Sequence, residues 1–148
     1  MARDEKIGRY FTLAELTHSQ YAARNGLRNV PGPKQLAALR MLVACVLDPL
    51  REAAGRPVVI SSGYRSPAVN VGVGGSATSQ HCLGEAADLT IPGMTVAQVA
   101  ELVRSAKLPY DQLIDEFGSW VHVSYSPRHR RQFLLARRVA GKVVYTPG

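Results

Sequence analysis

An α+β fold, a small antiparallel sheet flanked by helices, is what this sequence predicts. Apolar residues recur at helical spacing from Leu36 to Leu47, as one buried helix face requires. Downstream, short β-branched runs bounded by Gly or Pro read as strands. Helices therefore come first and most strands later, whereas a doubly wound α/β chain would alternate them. The chain has 148 residues, the size of one domain of about 150 residues, so residues 1–148 are expected to form a single domain.

The elements follow in order. Thr12 and Glu15 form a capping box, with the N-cap hydroxyl and the carboxylate three residues on each satisfying a free backbone N–H. One short helix should follow and end near Asn25-Gly26, where Gly26 can take the left-handed conformation. Pro33 suits the first position of the longest helix, whose buried stripe is Leu36, Leu39, Leu42, Val43, Val46 and Leu47. Pro49 lacks the N–H that a helix interior needs, so Asp48-Pro49 reads as a re-capped second segment ending at Gly55. Residues 57–61 read as a strand, residues 63–75 as a loop broken by Gly72, Gly74 and Gly75, and residues 86–91 as a second strand. A second capping box, Thr95 with Gln98, opens a helix carrying Val96, Val99, Ala100, Leu102 and Val103. Two strands, 112–117 and 120–125, flank Gly118-Ser119. A terminal hairpin, 132–137 with 142–145, turns at Ala140-Gly141.

Composition narrows the function classes. No run of 18 apolar residues occurs, so a membrane-spanning helix is not expected. Two cysteines, Cys45 and Cys82, make no disulfide framework. The opening residues 1–6 start no apolar signal segment, so the protein is expected to be made in the cytoplasm. If it works outside, something else must release it. The net charge is +7, from 18 basic and 11 acidic residues, which suits an anionic polymer. The basic residues cluster as Arg128-His129-Arg130-Arg131 and Arg137-Arg138, and a solvated basic edge is the plainest reading of them. No zinc-finger spacing, base-stacking motif or basic zipper accompanies them, so nucleic acid is not the expected partner.

The chemistry-bearing segment runs from Ser79 to Asp88, with a second at Trp120-Val121-His122 and a third at Asp115-Glu116. Together they offer two imidazoles and a carboxylate as ligands, plus a spare carboxylate. Catalytic zinc sites use three protein ligands and leave a position to water, whose pKa the metal lowers to about 7. Residues alternate faces along a strand. Asp88 therefore opposes the apolar row Ala87, Leu89 and Ile91, and His122 opposes Val121 and Val123. His81 has the wrong parity to join Asp88 on one straight strand. Gly84 can break the run and put His81 on the approaching loop. A charged Asp in an apolar strand needs a partner, and a shared metal would satisfy all three residues. Cys82 reads as a packed thiol, with a fourth ligand or a nucleophile as alternatives.

At these residues the chain resembles the zinc D,D-peptidases of bacterial cell-wall metabolism. That family includes D-Ala-D-Ala carboxypeptidases and dipeptidases and the phage L-alanyl-D-glutamate endolysins. Its pattern Ser-x-His-x-x-Gly-x-Ala-x-Asp is met by Ser79, His81, Gly84, Ala86 and Asp88. Ser62-Gly63-Tyr64-Arg65-Ser66 looks like the family's Arg-bearing loop, and Trp120-x-His122 looks like its third ligand. The resemblance runs from about Phe11 to Ser124, and the helical half is similar to the phage and prophage branch. It implies the D,D-peptidase (hedgehog-like) fold and a Zn2+ ion held by His81, Asp88 and His122. Arg65 would hold a substrate carboxylate or carbonyl oxygen through its forked donors. Ser79 and Gln80 would hydrogen-bond the peptide or brace the loop, and Tyr64 is a further substrate-binding candidate that could line the cleft. Glu116 would be the general base toward a zinc-bound water and would then protonate the leaving amine. The implied substrate is the peptidoglycan stem peptide, cut by a monomer at a D-Ala-D-Ala, L-Ala-D-Glu or cross-bridge bond.

One departure stands out. Many relatives place the catalytic Glu two residues before the last His, whereas five residues separate Glu116 from His122 here. On a straight strand the two would lie about 20 Å apart. Only a turn at Gly118-Ser119 brings Glu116 back, and the register of that turn decides between Glu116 and Asp115. A binding module that keeps the fold without catalysis is the alternative function.

Overall fold

A computed structural model describes residues 5–148; residues 1–4 of the segment read for a signal lie outside them. The Thr12–Glu15 capping box forms in both directions. It opens α1 (Leu13–Thr17), and α2 (Gln20–Asn25) follows as a separate helix. One continuous helix was expected. His18 is extended and Ser19 re-caps the chain, its hydroxyl accepting the Ala22 N–H at 3.0 Å. A serine ahead of a helical turn competes for the backbone in this way. Gly26 closes α2 in the left-handed conformation.

The long helix is not interrupted at Pro49. Helix α3 (Pro33–Leu42) runs through a π-helical turn (Val43–Leu47) into α4 (Asp48–Ala54). In that wider turn the Asp48 N–H reaches back to the Val43 carbonyl. Proline's missing donor is thus absorbed without a break. Asp48 is no N-cap: its carboxylate accepts the Arg9 N–H at 2.8 Å and the Tyr10 N–H at 3.3 Å, tying the N-terminal strap to the helix. Leu39, Leu42, Val43, Val46, Leu47 and Leu50 are fully buried, each stabilising the fold by roughly 1.5–3 kcal/mol of apolar transfer.

Strands β1 (Val59–Ser62), β2 (Ala86–Thr90), β3 (Gln112–Glu116), β4 (Trp120–Ser124), β5 (Gln132–Val139) and β6 (Lys142–Pro147) form one sheet in the order β1-β2-β4-β3-β5-β6. The α+β class holds, but the sheet is neither small nor purely antiparallel, because β3 and β5 run parallel. Residues 117–131 lead across β3, and β5 takes its free edge in the same direction. Helix α5 (Pro67–Gly72) lies inside the segment expected to be loop, capped by Ser66 with Pro67 at its first turn. The glycines masked a signal that Ser-Pro supplies. Helix α6 (Val96–Ser105) starts from its capping box as expected. Ala87, Leu89, Leu113, Val121 and Val123 turn to one face of the sheet and join the helical residues in the core. The alternate residues of β2, β3 and β4 face the other way, and that face carries the site.

Candidate metal centre

Asp88 and His122 are register partners on β2 and β4, so both side chains rise from the non-core face. His81 arrives from a 3-10 turn (Gln80–Leu83) that precedes β2. The Ser79 hydroxyl starts the turn by accepting the His81 N–H at 3.2 Å. Gly84 ends it in the left-handed conformation, where a Cβ would also collide with the Gln35 carbonyl oxygen. That reversal corrects the parity of His81 and brings it over Asp88.

The His81 Nδ1–H donates to the Gly63 carbonyl at 2.7 Å. A carbonyl can only accept, so Nδ1 carries a proton and Nε2 is the nitrogen turned toward Asp88. Nε2 lies 3.2 Å from Asp88 Oδ1, and His122 Nδ1 lies 3.0 Å from the same oxygen. Arg65 Nη2 stands 3.5 Å from Asp88 Oδ2. Burial would raise the Asp88 carboxyl, but the two imidazoles and their hydrogen bonds outweigh it and hold the group well below the ordinary carboxylate range.

One ligand atom from each of His81, Asp88 and His122 lies within 4.8 Å of the other two. The donor set fits a metal ion. It has two nitrogens and an ionised oxygen, and one imidazole is oriented by a backbone carbonyl as outer-shell partners usually do. Cys82 lies outside this cluster, and burial raises its thiol pKa.

The hairpin resolves the Glu116 spacing. Phe117 and Gly118 both have positive φ, and the Ser119 N–H closes on the Glu116 carbonyl at 2.9 Å. Glu116 thereby pairs with Trp120, and Ile114 with His122, so Glu116 shares the face of the cluster. Burial is the main reason its carboxyl is pushed up; His122 opposes this, while Asp88 and Asp115 reinforce it. Asp115 pairs with Val121 and points to the other face. Its carboxylate accepts the Gly118 N–H at 2.8 Å and an Arg137 Nη1–H at 3.0 Å.

A cleft of about 610 Å³ surrounds the cluster, and Arg65, Ser79, Gln80, Glu116 and Trp120 line it. Arg65 is held there by Ser62 Oγ at 3.2 Å and Asn70 Oδ1 at 3.2 Å. Gln80 is buried; its Nε2 donates to Glu85 Oε1 at 3.1 Å and Asp111 Oδ2 at 2.9 Å. Tyr64, expected to bind substrate, does not line this cleft. It is 5% exposed and packs in the core, with its backbone N–H on the Leu16 carbonyl. Its ring supplied apolar area that the core claimed.

Sequence reading passed over Asp111 and gave the C-terminal arginines to solvent. Asp111 is fully buried, and Arg128 and Arg130 reach it from the turn before β5 and line the cleft, as do Gln132 and Tyr145. A carboxylate between a tyrosine and a strand was the only local signal.

A model of the peptidase M15 family matches residues 9–124. The chain belongs to the peptidase M15 family. The resemblance carried by the Ser79–Asp88 motif is thus borne out at family level, and the M15 assignment makes the chain a peptidase. The M15 match contains His81, Asp88, His122, Glu116 and Arg65, and it ends before Arg128, Arg130 and Tyr145. No curated protein matches the chain. No helix among the described residues is long and apolar enough to cross a membrane.

Proposed function

We propose that this M15 peptidase is a zinc enzyme that hydrolyses peptide bonds of peptidoglycan stem peptides, as a D-Ala-D-Ala carboxypeptidase or an endolysin-type endopeptidase. The carrying observation is the convergence of His81, Asp88 and His122 in a cleft that also holds Glu116 and Arg65. Zinc held by those three residues would supply an activated water and polarise the scissile carbonyl.

Glu116 takes a proton from the attacking water as the new carbon–oxygen bond forms. It returns that proton to the amine as the carbon–nitrogen bond breaks. Its half-buried position and neighbouring carboxylates raise its proton affinity, which suits a group that must also give the proton back. Arg65 presents a guanidinium at the rim and binds a substrate carboxylate or carbonyl oxygen. Ser79 braces the His81 turn, and Gln80 carries a buried Oε1 with no partner among the described residues.

The resemblance of the helical half supports a phage or prophage setting, with action at the cell wall after release. Incubation of the zinc-loaded protein with purified cell walls, followed by mass spectrometry of the products, tests the reading. Release of stem-peptide fragments by the wild type and not by Glu116→Gln supports it. Wall binding without cleavage by either protein would overturn it in favour of a binding module.

A further inference from the structure

Residues 125–148 follow the family-matched region, yet they build a wall of the cleft. Their anchor is Asp111 at the start of β3. Its Oδ1 accepts the Arg130 backbone N–H at 2.8 Å and Nε–H at 3.0 Å. Its Oδ2 accepts from Arg130 Nη2 at 2.9 Å, Gln80 Nε2 at 2.9 Å and Ser126 Oγ at 3.1 Å. This one carboxylate is saturated by the forked guanidinium of Arg130, in the geometry that makes such pairs strong.

Arg128 lies on the same wall but is held differently. Its Nη2 comes only within 3.8 Å of Asp111 Oδ2, and its side chain is 55% exposed. Arg130 is engaged by Asp111 and also sits in the field of Glu85, whereas Arg128 is the more loosely held guanidinium. Among the described residues, the acids that line the cleft are Asp88 and Glu116. Asp88 is already shared by two imidazoles and Arg65. An extended peptide in the cleft would therefore meet a loosely held, half-exposed cation on the β5 side.

We infer that Arg128, steadied by the Arg130–Asp111 pair, forms a subsite for a carboxylate on the substrate and selects acidic stem peptides over their amidated forms. The inference rests on the stem-peptide reading above. The strength is that of a partly exposed ion pair, about 1 kcal/mol at most, which corresponds to about fivefold in affinity. It weakens with salt, because the Debye length falls from about 10 Å at 0.1 M to 3 Å at 1 M.

The test uses two stem peptides that differ only in whether the D-glutamate α-carboxyl is free or amidated. Binding to the zinc-loaded full chain is measured by calorimetry, and cleavage is followed in parallel. The expected result is about fivefold tighter binding of the free acid, reduced in 1 M salt. In Arg128→Gln the preference falls toward unity, and in Arg128→Glu it inverts. A ratio near unity in the wild type, or one unchanged by Arg128→Gln, overturns the subsite. Because each ratio comes from one preparation, a smaller folded fraction does not alter it. Failure to cleave either peptide, with the binding preference present, would instead sink the peptidase reading and leave the subsite standing.

Discussion

Asp88 Oδ1 lies 3.0 Å from His122 Nδ1 across the β2–β4 pair and 3.2 Å from His81 Nε2. Two imidazoles therefore converge on one carboxylate oxygen. Of these, His81 turns Nε2 to the carboxylate because Gly63 holds its Nδ1–H, and in the neutral ring that nitrogen presents a lone pair. A lone pair aimed at a carboxylate is repulsive unless a cation or a proton joins them. The triad is thus arranged for a positive guest, and its removal should be felt in both binding and stability.

Elemental analysis should find zinc in a one-to-one ratio in the wild type and little in His81→Ala. Zinc should raise the melting temperature of the wild type, because a ligand bound only to the folded state stabilises it. The same addition should leave His81→Ala unmoved. Equal zinc content in the two proteins would show that the metal binds elsewhere.

Glu116→Gln should lower kcat by about 10²–10⁴-fold, the usual contribution of a positioned acid–base group, with zinc retained. Asp115→Asn should act on stability instead, since it loses a charged acceptor for Gly118 and Arg137, at about 1–2 kcal/mol. Steady-state kinetics beside thermal melts separates the two. A larger kcat loss in Asp115→Asn would reverse the assignment.

Gly84→Ala should destabilise the fold by at least about 1 kcal/mol, because the left-handed conformation is strained for alanine. Its Cβ would also strike the Gln35 backbone, so the turn that carries His81 must shift. Zinc affinity should fall in this variant although no ligand is changed. Competition with a chromogenic chelator measures it, and unaltered affinity would show that the turn does not position His81.

Acid sensitivity should centre in part on Asp111. Its hydrogen bonds to Arg130 and Gln80 outweigh burial and hold its carboxyl below the ordinary range. A group whose pKa is lower in the folded state contributes stability at neutral pH and loses it as pH falls below the unfolded value of about 3.9. Asp111→Asn should therefore be less stable than the wild type at pH 7, with the gap closing toward pH 2. Urea midpoints across that range give the comparison, and a constant gap would contradict it.

Much of the site was legible because its signals are local. Ser79, His81, Gly84 and Asp88 fall within ten residues, and the alternation around His122 and Asp88 already separates core-facing from site-facing side chains. The Glu116 problem was also legible as a need for a turn. What stayed hidden depended on distant partners. The tie between Asp111 and Arg130 spans 19 residues, and no periodicity announces it. The parallel docking of β5 on β3 likewise depends on which sheet edge is left open once β4 has paired. Pro49 misled in another way, because a π turn, which has no sequence signature of its own, absorbed the missing donor.

The opposition of Asp88 and His122 has a consequence for how the chain avoids misfolding. A slip of one residue between β2 and β4 would set Ala87 or Leu89 against His122 and turn Asp88 toward the apolar side. No cation could then bridge the two strands. A metal held there would act as a proofreader of strand alignment, rewarding one pairing and none of its neighbours. Refolding with zinc present should recover more native wild-type protein than refolding with a chelator. Asp88→Asn should lose that advantage, and equal recovery in all cases would show that alignment is settled by the apolar row alone.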